Sequence, residues 1–319
     1  MIRFFLIAGV FVFLAAHAEA ASFDCKKAKT EIGKTICADP QLSALDEKLA
    51  EVYRTALAKL SPEGQRLLRE GQRTWLKVLP SDCAAKDTSR ICIETAYKDR
   101  LRELASKMVQ VGEYLFTRVD LARWEACTGA DGEPRSYEEH VSYLRIEAPS
   151  TDATAQWNAQ RKRSLGMKRH CDPNSESDTH NDDVSDIEIV DGTIVMITSS
   201  ISECCETFRY SYGTGSTQIV DLSRGLDPLT ADDFFLPDSG WQTFLAERSE
   251  EDLKRQAPKN PIMEGVVIEF VSDPTYWSIS KKDLTIEFPP GSIGGYSFEV
   301  SIPWTELKPF LRPDAPFPK

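Results

Sequence analysis

The sequence lacks the residue patterns that most enzyme classes require. Its 319 residues include only four histidines, and they contain neither a G-x-S-x-G nucleophile elbow nor an H-E-x-x-H metal motif. No C-x-x-C pair occurs among the eight cysteines, so the usual zinc and redox signatures are absent. We therefore predict a protein that is not an enzyme, with no cofactor and no metal site. The alternative is an envelope polysaccharide (peptidoglycan) enzyme or accessory protein that acts through paired carboxylates, because acidic residues are abundant.

The chain also lacks an excess of positive charge and a long apolar run. Its 38 basic and 50 acidic residues give a net charge of −12, which argues against a nucleic-acid partner. The apolar run 4–16 is shorter than the ~20 residues that span a bilayer. Arg3 precedes this run and Ala18-Glu19-Ala20 follows it, as in a secretory signal cleaved after residue 20. We expect a periplasmic or secreted protein with no membrane span after cleavage.

All eight cysteines follow the predicted leader, at Cys25, Cys37, Cys83, Cys92, Cys127, Cys171, Cys204 and Cys205. In an oxidising compartment an even number of cysteines predicts disulfides. Local pairing of Cys25 with Cys37 and of Cys83 with Cys92 is preferred, although four cysteines allow three arrangements. The adjacent Cys204 and Cys205 are too close to bond to each other without strain, so the pairing of the last four cysteines stays open.

Charge divides the mature chain into two parts. Residues 21–108 hold 17 basic and 13 acidic side chains, whereas residues 109–319 hold 20 and 36. About 300 mature residues also favour two domains at ~150 residues each. We therefore predict a leader over 1–20, one domain over 21–108 and a second over 109–319.

The first domain has the pattern of a small helical bundle. A short helical turn is expected over 30–37, and Asp39-Pro40 and Ser61-Pro62 are cap-then-proline signals that begin two longer helices. Apolar residues at spacings of three and four continue each helix, and Pro80 is expected to end the second. A third stripe follows over 93–108. Two disulfides would stabilise so small a domain by about 2–4 kcal/mol each.

The second domain mixes strand and helix patterns, so the fold class is α+β. Helices are predicted over 152–165 and 240–256, with a short one from Pro303. Alternating segments predict strands over 140–148, 186–200, 208–221, 266–270, 277–280, 284–288 and 296–302. Asp191-Gly192 is a hairpin signal within the second of these segments. The expected packing is one antiparallel sheet with helices on it.

Residues 23–105 carry a set of motifs that is similar to a known family. The set comprises Cys25, Ile36-Cys37-Ala38, Leu45-Asp46-x-x-Leu49-x-x-x-Tyr53, Gln72-Arg73-x-Trp75, Cys83, Cys92 and Arg100-x-x-x-Leu104. It resembles the N-terminal domain of LprI-type lysozyme inhibitors. Val78-Leu79-Pro80 departs from the family, which more often has an aromatic residue and an arginine there. The resemblance implies a protein that inhibits lysozyme.

Four of the signature residues are interpreted as mainly structural. Tyr53 and Trp75 fall on apolar stripes and are expected in the core. Asp46 and Gln72 lie beside those stripes, where they are expected to satisfy buried polar groups. Direct contact of these residues with a partner is the alternative.

The later part of the chain, about 215–311, resembles the extracytoplasmic lysozyme-binding region of the anti-sigma factor RsiV and the N-terminal region of PdaC-type polysaccharide deacetylases. The motifs are Asp221-Leu222-x-x-Gly225, Leu229-Thr230-x-x-Asp233-Phe234-Phe235, Asp283-Leu284-x-Ile286-x-Phe288, Gly294-Gly295-Tyr296 and Ile302-Pro303-Trp304-x-x-Leu307. Those relatives usually carry a Gly-Gly-Ala-His stretch, which this chain lacks.

Two charged segments lie next to each other in the second domain. Oxygen-bearing side chains crowd 172–183, at Asp172, Asn174, Glu176, Asp178, Asp182 and Asp183, together with His180. The sixth position of an EF-hand loop would be Ser177 rather than glycine, so a solvated loop is favoured over a calcium-binding module. The basic residues before it are Arg161, Lys162, Arg163, Lys168 and Arg169. They are expected to form a salt-bridged helix face, with pairing to a partner's carboxylates as the alternative.

Both resemblances point to lysozyme. We therefore predict an exported binding protein of the lysozyme-inhibitor type, which docks on a cationic muramidase and blocks its cleft without chemistry. The acidic second domain would supply long-range attraction.

Overall fold

The computed structural model describes residues 21–83, 89–164, 179–205, 212–262 and 265–316. These residues form two compact units. The first unit comprises the described residues up to Lys59 and those of Gln72–Ser106, and the second comprises those of Leu60–Gly71 and of Lys107–Lys319. None of the described helices combines the length and apolar character that a bilayer crossing requires.

The first unit is helical. It contains α1 (Glu31–Ala38), α2 (Pro40–Lys59), the later part of α3 (Pro62–Asp82) and α4 (Ser89–Ser106). The Thr30 hydroxyl accepts the Gly33 N–H at 3.1 Å and begins α1, and the Asp39 carboxylate accepts the N–H of Gln41 at 2.8 Å to begin α2. Apolar residues at helical spacing form the core, namely Ile36, Leu42, Leu49, Ala56, Leu79, Ile93, Tyr97 and Leu104.

The helix α3 ends two residues later than predicted. It continues through Pro80 to Asp82, so the prediction that Pro80 ends it is wrong. A proline removes one backbone donor and crowds the carbonyl four residues earlier. In the last turn of a helix the missing donor affects a single hydrogen bond, so the helix can continue for two more residues.

The second unit contains a six-stranded sheet. Its strands follow chain order as β1 (Met108–Val111), β2 (Tyr114–Thr128), β3 (Pro134–Ala148), β4 (Thr179–Asp191), β5 (Ile194–Cys205) and β6 (Tyr212–Asp221). All neighbours are antiparallel except β3 and β4, which pair in parallel from Tyr137↔Thr179 to Ser142↔Val184. The helix α5 (Asp152–Ser164) lies in the connection between these two strands, as a parallel crossover requires.

A second sheet with helices follows in the same unit. It has three antiparallel strands, β7 (Trp277–Ile279), β8 (Asp283–Phe288) and β9 (Phe298–Pro303). The helices are α6 (Ala231–Phe234), α7 (Trp241–Gln256), α8 (Val266–Ser272) and α9 (Trp304–Leu307).

Alternation along β5 places two cores on opposite faces of the larger sheet. Val195 and Ile197 pack with Trp157 of α5, whereas Met196 between them packs in the core that contains the second sheet. The Ile279 N–H also donates to the Met196 sulfur at 3.1 Å.

The α+β class is confirmed, while three expectations for the second domain need correction. Residues 266–270 belong to the helix α8 rather than to a strand, because Val267 and Val271, four residues apart, are both buried on one helix face. The strands β1 and β2 were not predicted. The single antiparallel sheet is two sheets, one of which contains a parallel pair.

Candidate functional site

The segment that precedes α1 is fastened to the first unit by covalent and polar contacts. Cys25 is bonded to Cys37 with a Cα–Cα distance of 5.7 Å, and the Ser22 N–H donates to the Asp46 carboxylate at 2.6 Å. A second disulfide, Cys83–Cys92, joins the end of α3 to the start of α4 with a Cα–Cα distance of 5.6 Å. These are the two pairings that the spacing favours.

The Asp46 carboxylate lies inside the unit. The residue is only 7% exposed, and its two oxygens accept the Ser22 N–H and the Tyr97 hydroxyl, the latter at 3.0 Å. Burial, together with this negative neighbour, raises the pKa of Tyr97 far above its ordinary value. The hydroxyl therefore stays protonated as the donor to Asp46, and this bond joins α2 to α4.

Arg100 organises the neighbouring part of the unit. It is 5% exposed, its Nε donates to the Gln72 side-chain oxygen at 3.0 Å, and its Nη1 donates to the Glu103 carboxylate at 2.6 and 2.7 Å. Its guanidinium carbon lies 6.0 Å from the centre of the Trp75 ring. Tyr97 meets Trp75 edge-on, with ring centroids 5.2 Å apart. The indole is thus held in one orientation by a cation and a second aromatic ring.

The four signature residues line one open cavity of about 570 Å³, which we call the signature groove. Its lining is largely apolar and aromatic, and the members that matter here are Phe23, Asp46, Tyr53, Gln72, Trp75, Leu76 and Tyr97. Asp46 and Tyr97 are buried, whereas Phe23 and Leu76 are 36% and 52% exposed. The groove therefore joins a buried carboxylate to an exposed apolar edge.

The structure refines the interpretation of the signature. Asp46 and Gln72 each accept hydrogen bonds from buried neighbours, Tyr97 and Arg100, and a mainly structural role for them stays a prediction. Tyr53 and Trp75 are half-buried rather than fully enclosed, since each lines the groove. The apolar stripe over 93–108 includes Tyr97 but does not predict its hydrogen bond to Asp46. The sequence signal for a polar contact in this part of α4 is Arg100, a charged residue about one helical turn after Tyr97.

The proposed basic surface of the second domain is only partly described. Arg161 is half-buried on α5, with its guanidinium 4.9 Å from the Trp157 ring centre and a hydrogen bond to the Gln218 side chain. Burial lowers the pKa of Arg161. Lys162 is exposed. Lys168 and Arg169 lie outside the described residues, and so does the side chain of Arg163. Pairing of the five basic residues with a partner's carboxylates therefore stays a prediction.

Other predicted features also fall outside the described part of the chain. Cys171 and most of the acidic segment 172–183 are not described, and only its end, from residue 179, is seen as backbone of β4. Cys127 lies on β2 and Cys204 and Cys205 lie on β5, but their side chains are not described. Among the side chains that are described, no group of His, Cys, Asp or Glu has the arrangement of a metal site.

Comparison with known proteins identifies the N-terminal segment. Residues 25–104 match the family model described as lysozyme inhibitor LprI, which confirms the resemblance seen over 23–105. Curated relatives are the lipoprotein LprI of Mycobacterium bovis and those of two Mycobacterium tuberculosis strains, each 36% identical over 84 residues. The match covers 26% of this chain and 41% of each relative, so less than half of those proteins is represented here.

Similar solved structures correspond to a larger share of the chain. A DUF3298 family protein from Pseudomonas aeruginosa PAO1 covers 64% of this chain and 97% of its own, with 16% identity and a TM-score of 0.42. A DUF3298 family member from Bacteroides fragilis covers 65% and 96%, with 12% identity and a TM-score of 0.41. The chain therefore contains an LprI-type domain at residues 25–104.

Proposed function

We propose that this protein is exported to the periplasm or the cell exterior, where it binds a lysozyme-type muramidase and inhibits it by occlusion. The observation that carries this proposal is the match of residues 25–104 to the lysozyme inhibitor LprI family. Export is supported by the leader pattern of residues 1–20 and by two disulfides in the first unit.

The signature groove has the chemistry of a binding surface. Among the described residues that line it, Asp46 is the one carboxylate, and they include neither histidine nor cysteine. These lining residues therefore offer no nucleophile paired with a histidine and no pair of carboxylates. Inhibition by occlusion needs only a complementary surface, which a largely apolar groove can provide.

Charge supports a cationic partner. The chain carries a net charge of −12, with the excess in residues 109–319. Attraction between opposite net charges raises the association rate, and salt weakens it because the Debye length is about 8 Å at physiological ionic strength. Binding to a basic muramidase should therefore weaken between 50 and 150 mM salt.

The deciding experiment mixes the mature protein with a c-type lysozyme and follows the lysis of a peptidoglycan suspension. We expect dose-dependent inhibition, together with a stable complex in analytical size-exclusion chromatography. The protein alone should release neither sugar nor acetate from peptidoglycan. Absence of both inhibition and complex at micromolar concentration and low salt would contradict the proposal, and product release by the protein alone would favour the enzyme alternative.

A further inference from the structure

We propose that the signature groove receives a lysine or arginine side chain of the partner, whose cationic head pairs with Asp46. The identity of that partner as a muramidase rests on the proposed function. The preference of the groove for a cation rests on the residues of the groove itself.

The first argument is the state of the Asp46 carboxylate. The residue is 93% buried, and within the described part of the chain no lysine or arginine lies within ion-pair distance of it. It accepts two hydrogen bonds, from Ser22 and Tyr97, whereas a carboxylate offers about four acceptor positions. A buried carboxylate without a cation is costly, so a cation that reaches Asp46 through the groove would be bound favourably.

The second argument is the surface that leads to Asp46. Tyr53 and Trp75 line the same cavity, and aromatic faces attract cations within about 6 Å. The exposed side chains of Phe23 and Leu76 can cover the aliphatic stem that lysine and arginine share. A cavity of about 570 Å³ also lies within the usual size of ligand pockets, about 300–1,000 Å³.

These features exclude the other simple occupants. A purely apolar side chain would seal Asp46 away from water without giving it a cation, which raises the cost of its burial. An anionic group would be repelled by the carboxylate. A long side chain with a positive end matches both the apolar walls and the charge at Asp46.

One lining residue opposes the proposed occupant. Lys29 is exposed and belongs to the groove lining, so its ammonium repels an incoming cation. A substitution here should therefore strengthen binding, whereas a substitution of Asp46 should weaken it. Replacing Lys29 with glutamate should tighten the binding of a cationic side chain and weaken the binding of an anionic one.

The main experiment compares Asp46→Asn with Glu47→Gln in lysozyme affinity, measured by calorimetry. Both substitutions remove one negative charge, but Glu47 is exposed on the next position of α2. The asparagine can accept the Ser22 N–H through its oxygen and donate to the Tyr97 oxygen through its amide, so the fold is expected to persist. We expect Asp46→Asn to weaken binding at least tenfold and Glu47→Gln by less than threefold. Equal effects of the two variants would overturn the proposal.

A second measurement separates this proposal from the proposed function. Nα-acetyl-arginine amide, titrated into the wild-type protein and followed through indole N–H resonances, should bind in the millimolar range and compete with lysozyme. Suppose that the wild-type protein binds the probe, that Asp46→Asn does not, and that lysozyme does not bind at all. This result would support the groove proposal and contradict the proposed function. The opposite result is that lysozyme binds, but that Asp46→Asn and the probe do not weaken its binding and Lys29→Glu does not tighten it. This result would contradict the groove proposal alone.

Discussion

Replacing Gly64 with alanine should destabilise the second unit, although alanine is the better helix former. Gly64 lies in the first turn of α3, against the Glu147 carboxylate of β3. A Cβ atom at position 64 would overlap both carboxylate oxygens of Glu147. The Glu147 side chain is fully buried, and it accepts the Ser61 N–H at 2.9 Å, the Ser61 hydroxyl at 2.5 Å and the Arg145 Nε at 3.0 Å. The carboxylate must therefore move away from the two Ser61 donors if the methyl group is to fit.

The magnitude follows from the bonds that the carboxylate gives up. A hydrogen bond to a charged group contributes about 1.5–3 kcal/mol, and displacement of Glu147 affects the two bonds from Ser61. The higher helix propensity of alanine returns about 1 kcal/mol. We expect a net loss of about 2–5 kcal/mol in the free energy of unfolding of the second unit.

The assay is urea unfolding followed by circular dichroism, carried out on a double-mutant cycle with Glu147→Ala. In the Glu147→Ala background the obstructing carboxylate is gone, so Gly64→Ala should become stabilising by about 1 kcal/mol. This reversal of sign is specific to the proposed clash. A destabilisation of the same size in both backgrounds, or none in the wild type, would refute the reasoning.

Two further predictions concern an ion pair of the second unit and a disulfide of the first. Burial raises the pKa of Asp120, but the Lys107 ammonium at 2.8 Å outweighs it and holds that pKa below its usual value. Asp120→Asn should therefore cost about 1 kcal/mol near pH 7, since solvent screens this partly exposed carboxylate. The cost should shrink as the pH falls below about 4, where the unfolded chain begins to protonate this group, and it should vanish once the pH passes the lowered pKa of Asp120 in the folded protein. Urea unfolding at pH 7 and pH 3 measures this, and an equal loss at both pH values would contradict it. Replacing Cys83 and Cys92 with serine should lower the stability of the first unit by about 2–4 kcal/mol, seen as a lower melting temperature under non-reducing conditions, in which the Cys25–Cys37 disulfide is retained. A melting temperature equal to that of the oxidised wild type would show that this bond does not stabilise the unit.

Local patterns were sufficient for most of the helices. The cap signals at Asp39 and Ser61 and the apolar spacing after them predict two long helices within a few residues of their observed bounds. Propensity failed at Val266–Ser272, where β-branched residues favour a strand. The tertiary contacts of Val267 and Val271 override that preference, since both are buried on one face of α8.

The sequence by itself determined the family of the N-terminal domain, the preferred disulfide pairing and the α+β class, because these depend on residue identity and spacing along the chain. The tertiary structure alone decided that Asp46, Tyr53, Gln72 and Trp75 line one cavity, and that Asp46 bonds to Tyr97, 51 residues away. Periodicity records which face of a helix is apolar. It does not record which part of that face the neighbouring helix leaves uncovered, and in this protein that uncovered part forms the groove.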